Sequence, residues 1–182
     1  MPLAGGSQFN LQTYLVGSIA EAEGIGNSSQ ALNLSTLLQF AGGSGLGQCD
    51  EFYESTISLA ASGTLTLGLN GGGLLDPFGG AIAMLHVKFI YLAVQALVSP
   101  GVAAGGIILS PGATNPCNLM LGGTSPTITV NPGETFLQSN GNGVVPNAGW
   151  TVTPSTGMNI KLANASSTQP AFGQLIIGGT ST

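Results

Sequence analysis

Apolar and polar residues alternate in short runs from Phe52 onward, and this pattern organises most of the chain. In "GTLTLGLNGGG", Leu65, Leu67 and Leu69 fall on one side and Thr64, Thr66 and Gly68 on the other, the period of two expected of a half-buried strand. "STISLAAS", "GGIILS", "TITVNPG", "ETFLQS", "GWTVTP", "NIKLAN" and "FGQLIIGG" behave alike, each bounded by Gly, Pro or Asn. "NGGG" at Asn70–Gly73, "NPG" at Asn131–Gly133 and "NGNG" at Asn140–Gly143 supply turn chemistry, because Gly and Asn tolerate positive φ and Pro presets the turn. Regular short strands with such turns predict an all-β chain, an antiparallel β-sandwich or jelly-roll-like fold.

The first part is less regular. Met1 to Gln12 reads as a loose arm with Pro2 and paired glycines. Leu34, Leu37, Leu38 and Ala41 fit a helical face for two turns, whereas Leu32, Leu34 and Thr36 fit a strand; the window is too short to choose. The expected division is residues 1–47 as an N-terminal arm with short strands or a helix, and 48–182 as the β-sandwich domain.

The longest apolar stretch, "DPFGGAIAMLHVKFIYLAVQALV" from Asp76 to Val98, contains the sole histidine, His86, together with Lys88. A membrane-spanning helix needs ~20 uninterrupted apolar residues, and His86, Lys88 and Gln95 interrupt this one. Read at period two, it is one strand over Ile82–Val94. Leu85, Val87, Phe89 and Tyr91 are the expected core face, and Met84, His86, Lys88, Ile90 and Leu92 the other. No membrane partner is expected.

Composition changes the picture in one respect. Charged residues are 5% of the 182, against roughly 25% in ordinary soluble domains. Glycine, at 30 residues, and uncharged polar side chains fill the gap. Disordered chains combine low hydrophobicity with high charge, so a folded chain is expected. Its surface suits coverage by copies of itself or by neighbours. With Lys88 and Lys161 as the sole basic residues, phosphate neutralisation is out of reach and nucleic-acid binding is excluded. "MPLAGGSQFN" shows neither the basic nor the apolar region of a secretory signal, which makes a cytosolic site of synthesis the default. Asn27, Asn33 and Asn164 stand in N-x-S sequons, which matter only in a secreted protein. Cys49 and Cys117 fit no metal spacing and read equally as a pair or as two buried thiols.

Candidate chemistry is sparse. His86 and Lys88 are expected on one strand face, where both can meet one ligand or neighbouring subunit. Catalysis by His86 needs a partner acid such as Asp76. "CDEFYE" gathers Asp50, Glu51 and Glu54 without the alternating ligands of a calcium loop, and reads as a solvated charged turn or as the partner of a lysine. "GGSGLG" at Gly42–Gly47 lacks the lysine of a phosphate loop. Trp150, with Tyr53 and Tyr91, is a candidate sugar-stacking platform, although a tryptophan opening a strand more often fills a core. No cofactor, metal site or catalytic residue is assigned. His86, Lys88 and Trp150 are the candidate interface or glycan contacts.

The segment "CDEFYESTISLAASGTLTLGLNGGGLLDPFGGAIAMLHVKFIYLAVQ" resembles a group of small structural proteins of tailed bacteriophages. In these, an aspartate and an aromatic precede "TISLAAS", followed by "LTLGLNG", "DPFG" and an apolar strand carrying "VKFIYL". "LMLGG", "ITVNPGETFLQ", "GWTV", "MNIKLAN" and "QLIIGG" resemble the group's closing strands. The resemblance runs from Gln48 to Gly179. It implies a β-sandwich virion subunit without enzyme activity, made in the host bacterial cytoplasm. The expected role is a capsid decoration subunit, a homo-oligomer (a trimer in the expected form), bound to the major capsid protein or other virion proteins. A tail, baseplate or fibre module with receptor or glycan contact is the alternative.

Overall fold

The computed structural model describes residues 8–23, 26–45, 47–117, 126–140 and 149–182, with side chains from residue 40 onward. Every regular element among them is a strand, as the alternation predicts. In chain order these are β1 (Gln8–Glu23), β2 (Gly26–Gly42), β3 (Gln48–Cys49), β4 (Glu51–Leu59), β5 (Thr64–Gly68), β6 (Asn70–Leu75), β7 (Ala81–Ala83) and β8 (His86–Val94). There follow β9 (Leu97–Ser99), β10 (Val102–Ala103), β11 (Ile107–Pro111), β12 (Ile128–Val130), β13 (Thr135–Ser139), β14 (Trp150–Thr151), β15 (Asn159–Asn164) and β16 (Ala171–Thr180).

Two antiparallel sheets form the sandwich. One has the order β13-β8-β16-β4, with β14 also paired to β8; the other has the order β12-β11-β15-β5. The alternation explains the core between them. β5 contributes Leu67, β11 Ile107 and Leu109, and β15 Ile160 and Leu162; β4 answers with Ile57 and Leu59, and β16 with Leu175 and Ile177. The polar partners Thr64, Thr66, Thr56 and Ser58 face water. The "NPG" turn forms as read: Glu134 N–H donates to Asn131 O at 3.0 Å, and Gly133 takes a φ of 83°, where a side chain would be strained. The "NGNG" turn lies outside the described residues beyond Asn140.

The opening strand differs from its expectation in two ways. Ile82–Val94 is not continuous: β7 pairs with β6, Met84 and Leu85 intervene, and β8 joins the five-stranded sheet. Within β8 the facing also changes. On β16, Gly179 opposes Val87 and Gly178 opposes Phe89, which leaves Lys88 as an extra residue. Such a β-bulge shifts the side-chain alternation by one position. Val87 points into the core as expected, but beyond the bulge Ile90, Leu92 and Val94 do so in place of Phe89 and Tyr91. Leu85 is half-buried and Met84 fully buried, again the reverse of the simple alternation.

Residues Gln8–Gln12, expected to be loose, belong to a paired strand, and the ambiguous leucines lie in β2. β1 and β2 form an antiparallel ribbon whose register runs unbroken from Gln8↔Ala41 to Glu23↔Gly26. It meets the rest of the sheet system through β3, which pairs in parallel with Ala41 and Gly42. Of "GGSGLG", Gly42 ends β2 and Gly43–Gly45 leave it, and there Gly45 N–H donates to Gln48 Oε1 at 2.7 Å.

Candidate interaction surface

The bulge sets the surroundings of all three singled-out residues. β14 lies along the first residues of β8, with Trp150 opposite Val87 and Thr151 opposite His86. A side chain at Gly149 would start 2.7 Å from Val87 O and 3.3 Å from Lys88 Cδ, so only glycine lets the two backbones come this close. Trp150 is half-buried and packs on the core cluster. His86 is half-buried; its other neighbour is Thr180 on β16, and its Nδ1 lies 3.3 Å from Thr182 O.

Lys88 is 0% exposed, contrary to its expected place on an open outer face. Burial lowers its affinity for a proton, while Cys49 and Asp50 act in the opposite direction. Asp50 in turn accepts from Ser181 N–H at 2.9 Å and from Ser181 Oγ–H at 2.7 Å. The expected shared open face of His86 and Lys88 is therefore absent. Of the "CDEFYE" acids considered as a lysine's partner, Asp50 is the one whose charge favours the protonated form of Lys88.

"CDEFYE" itself is not a solvated turn: Glu51–Leu59 is β4, and Asp50 is half-buried. Burial, followed by the charges of Asp50 and Asp76, raises the Glu51 carboxyl above its usual range, opposed by a hydrogen bond from the Ala83 backbone. Cys49 is buried with Phe40 and Phe89 on the outer side of the five-stranded sheet, joined by Phe52 and Ile176. The Phe40 and Phe89 rings stack with centroids 5.3 Å apart. Phe89 lies across Gly178, where any Cβ would collide with the ring. Burial pushes the Cys49 thiol up to about 12, and its Sγ donates to Glu51 O at 3.1 Å. A thiol so far from ionising is a poor nucleophile. Cys117 is a second buried cysteine, in the main core.

The remaining candidates are dispersed. Tyr53 is buried and so gives no stacking platform, whereas Tyr91 is half-buried. Asp76, the acid considered as a partner for His86, has Oδ1 occupied by Phe78 N–H at 2.8 Å and Gly80 N–H at 2.7 Å. Its carboxylate thus fixes a turn. Among the described residues no group of three or more His, Cys, Asp or Glu is placed to hold a metal ion.

That turn presents a residue the sequence reading passed over. Phe78 is 84% exposed, beside Leu75 at 53%. The signal lay in "DPFGG": a proline preset for a turn, an aspartate able to cap it, and no alternating partner to bury the phenylalanine. A preorganised exposed aromatic suits contact with another protein better than chemistry, since such anchors carry much of an interface's energy.

No protein-family model matches the chain, and no curated protein matches it. Among solved structures, it is weakly similar to a mutant of the unassembled Washington University polyomavirus VP1 pentamer. The identity is 12% over 98% of this chain and 95% of that one, with a TM-score of 0.15. A score this low bears on neither fold nor function.

Proposed function

We propose that this chain is a structural subunit of a bacteriophage virion, a capsid decoration protein that works by binding rather than by catalysis. The observation that carries the reading is the pairing of a rigid β-sandwich with a surface almost free of charge: 5% of residues are charged, and one of the two lysines is fully buried. The resemblance of Gln48–Gly179 to small structural proteins of tailed phages supplies the context. A decoration subunit meets capsid subunits and its own copies through many modest contacts, and symmetry multiplies them into firm attachment. An uncharged interface suits this work because few ions lose their water on binding.

The test is attachment of the purified chain to capsids of its phage lacking it. Binding through uncharged surface survives a change from low to high salt nearly unaltered, whereas attachment through charge weakens steeply. A strong loss of binding with salt overturns the proposed mechanism, and no binding at all overturns the capsid role. Imaging of the native particle separates head from tail: decoration puts copies across the capsid lattice, and a baseplate or fibre module puts a few at the tail.

A further inference from the structure

The β6–β7 hairpin carries a knob of exposed apolar side chains on a base fixed by the core. Ile82 and Met84 are buried in the main cluster, and Leu74 packs against it. Asn70 Nδ2 donates to Met84 O at 3.0 Å, and Met84 N–H donates to Leu69 O at 2.9 Å. Beyond this base the chain turns through Asp76–Gly80. Asp76 N–H donates to Gly80 O at 2.8 Å and Gly79 N–H to Asp76 O at 3.0 Å, with Gly79 at a φ of 86°. Together with the bonds that Asp76 Oδ1 accepts from Phe78 and Gly80, these hold the tip in one shape. A turn so held has little conformational freedom left to lose on binding. Phe78, 84% exposed, stands at the tip, and Leu75 at 53%, Pro77 and Ala81 are exposed beside it in the hairpin.

Such a knob can be covered by lipid, by a second copy or by a pocket in another protein. An anionic lipid surface attracts basic tips. Here the charged residue of the turn is an acid, and the basic residues are Lys88, fully buried, and Lys161, in β15. Two copies meeting tip to tip set one convex surface on another and bring Asp76 of each toward that of the other. Phe78 and Leu75 then offer ~200–300 Å² per copy, well below the ~800 Å² per partner of a stable interface. We propose that the Phe78 turn inserts into a concave, uncharged apolar pocket on a different protein, the one to which this chain attaches. A pocket encloses the ring on all sides, as a flat contact does not, and buried aromatics of this kind carry much of an interface's energy. An uncharged lining fits, because Asp76 turns Oδ1 inward onto two amides, and Glu51, which feels the charge of Asp76, is bonded to the Ala83 backbone. One anchor of this size is weak alone and firm when repeated over a lattice.

This inference rests on the proposed attachment to capsids and names the element that makes it. Capsids lacking the chain are titrated with the natural full-length chain and with four variants. Phe78→Ala is expected to weaken attachment at least tenfold at low and high salt alike, and Phe78→Leu, still apolar, to lose less. Asp76→Ala keeps the ring but releases the turn, and is expected to weaken attachment severalfold. Leu97→Ala removes another apolar side chain, 46% exposed in the β9–β10 hairpin beyond the far end of β8, and is expected to leave attachment unchanged. Urea unfolding of Phe78→Ala is expected to match that of the natural chain, since the ring is exposed. Hydroxyl-radical footprinting gives a readout without variants: Phe78 is oxidised in the unattached chain and shielded on the capsid. Equal attachment of the natural chain and Phe78→Ala, or Phe78 still open to oxidation on the capsid, overturns the inference and leaves the capsid reading standing. Equal losses in Phe78→Ala and Leu97→Ala overturn it in favour of general apolar adhesion. A multi-copy mass by light scattering that falls to one copy in Phe78→Ala overturns it in favour of self-association. Failure of the natural chain to attach overturns the capsid reading and this inference with it.

Discussion

Asn164 shows how much one side chain holds together. Its Nδ2 donates to Ala60 O at 2.9 Å and Gln169 O at 2.8 Å, while its Oδ1 accepts from Ser166 N–H at 2.8 Å. One buried amide thus ties the end of β4 to the β15–β16 turn. Asn164→Asp loses both donated bonds and buries a charge; it is expected to cost ~2–4 kcal/mol in urea unfolding. Its sequon is inaccessible in the fold, because the amide that a glycan would modify is buried and bonded. Cys49 allows a test by pH. Burial holds its folded pKa at about 12, above the 9.0 of an unburied thiol. The protonated thiol therefore stabilises the fold fully below pH 9, and this contribution fades as pH rises toward 12. The stability difference between the natural chain and Cys49→Ala is expected to shrink over that interval, measured by denaturant titration at stepped pH. Neither role was legible in the sequence: a sequon and a lone cysteine look the same whether buried or exposed, and the groups that enclose them include distant ones, Ala60 for Asn164 and Phe89 for Cys49.

At the scale of elements, strand existence was legible and strand facing was not. The runs from Thr64 to Gly68 and from Asn159 to Asn164 alternate cleanly and occupy their strands with the expected faces inward. In β8 both faces are rich in apolar residues, and its polar positions, His86 and Lys88, lie before or at the bulge, so they fix no parity beyond it. The bulge was invisible for a further reason: it is defined by the count of residues opposite it, and that count depends on Gly178 and Gly179, near the far end of the chain. Deletion and substitution at Lys88 separate the bulge from the charge. Lys88→Met keeps the residue count and removes a buried cation; it is expected to hold or raise stability by up to ~2 kcal/mol. Deleting Lys88 moves either His86 and Val87 or the whole run from Phe89 to Val94 out of register; it is expected to cost roughly 4 kcal/mol or more. Thermal and urea unfolding of both variants decide the matter. Equal effects would mean that the extra residue does not set the facing.

For the molecule as a whole, composition and punctuation were enough for the all-β class, because turn chemistry and alternation are local properties. The long ribbon was harder to read. Each of its strands has an ordinary mixed sequence, and nothing local to either one announces the pairing that sets Leu15 opposite Leu34. The candidate contacts were legible as residue types but not as surfaces. Lys88 is enclosed, Trp150 leans on the core, and the most exposed large apolar residue among those described is Phe78.

β16 sits between β8 and β4 although it follows every other described strand in the sequence. On the ribosome, β4 and β8 therefore emerge without the strand that joins them, and the five-stranded sheet has no continuous path until Thr180 has been made. Its long-range pairings make the final step slow relative to local folding. For a protein whose proposed work is association, this order has a use. The five-stranded sheet comes into being only when synthesis has passed β16, so chains cut short of it are poor competitors for places in the proposed assembly.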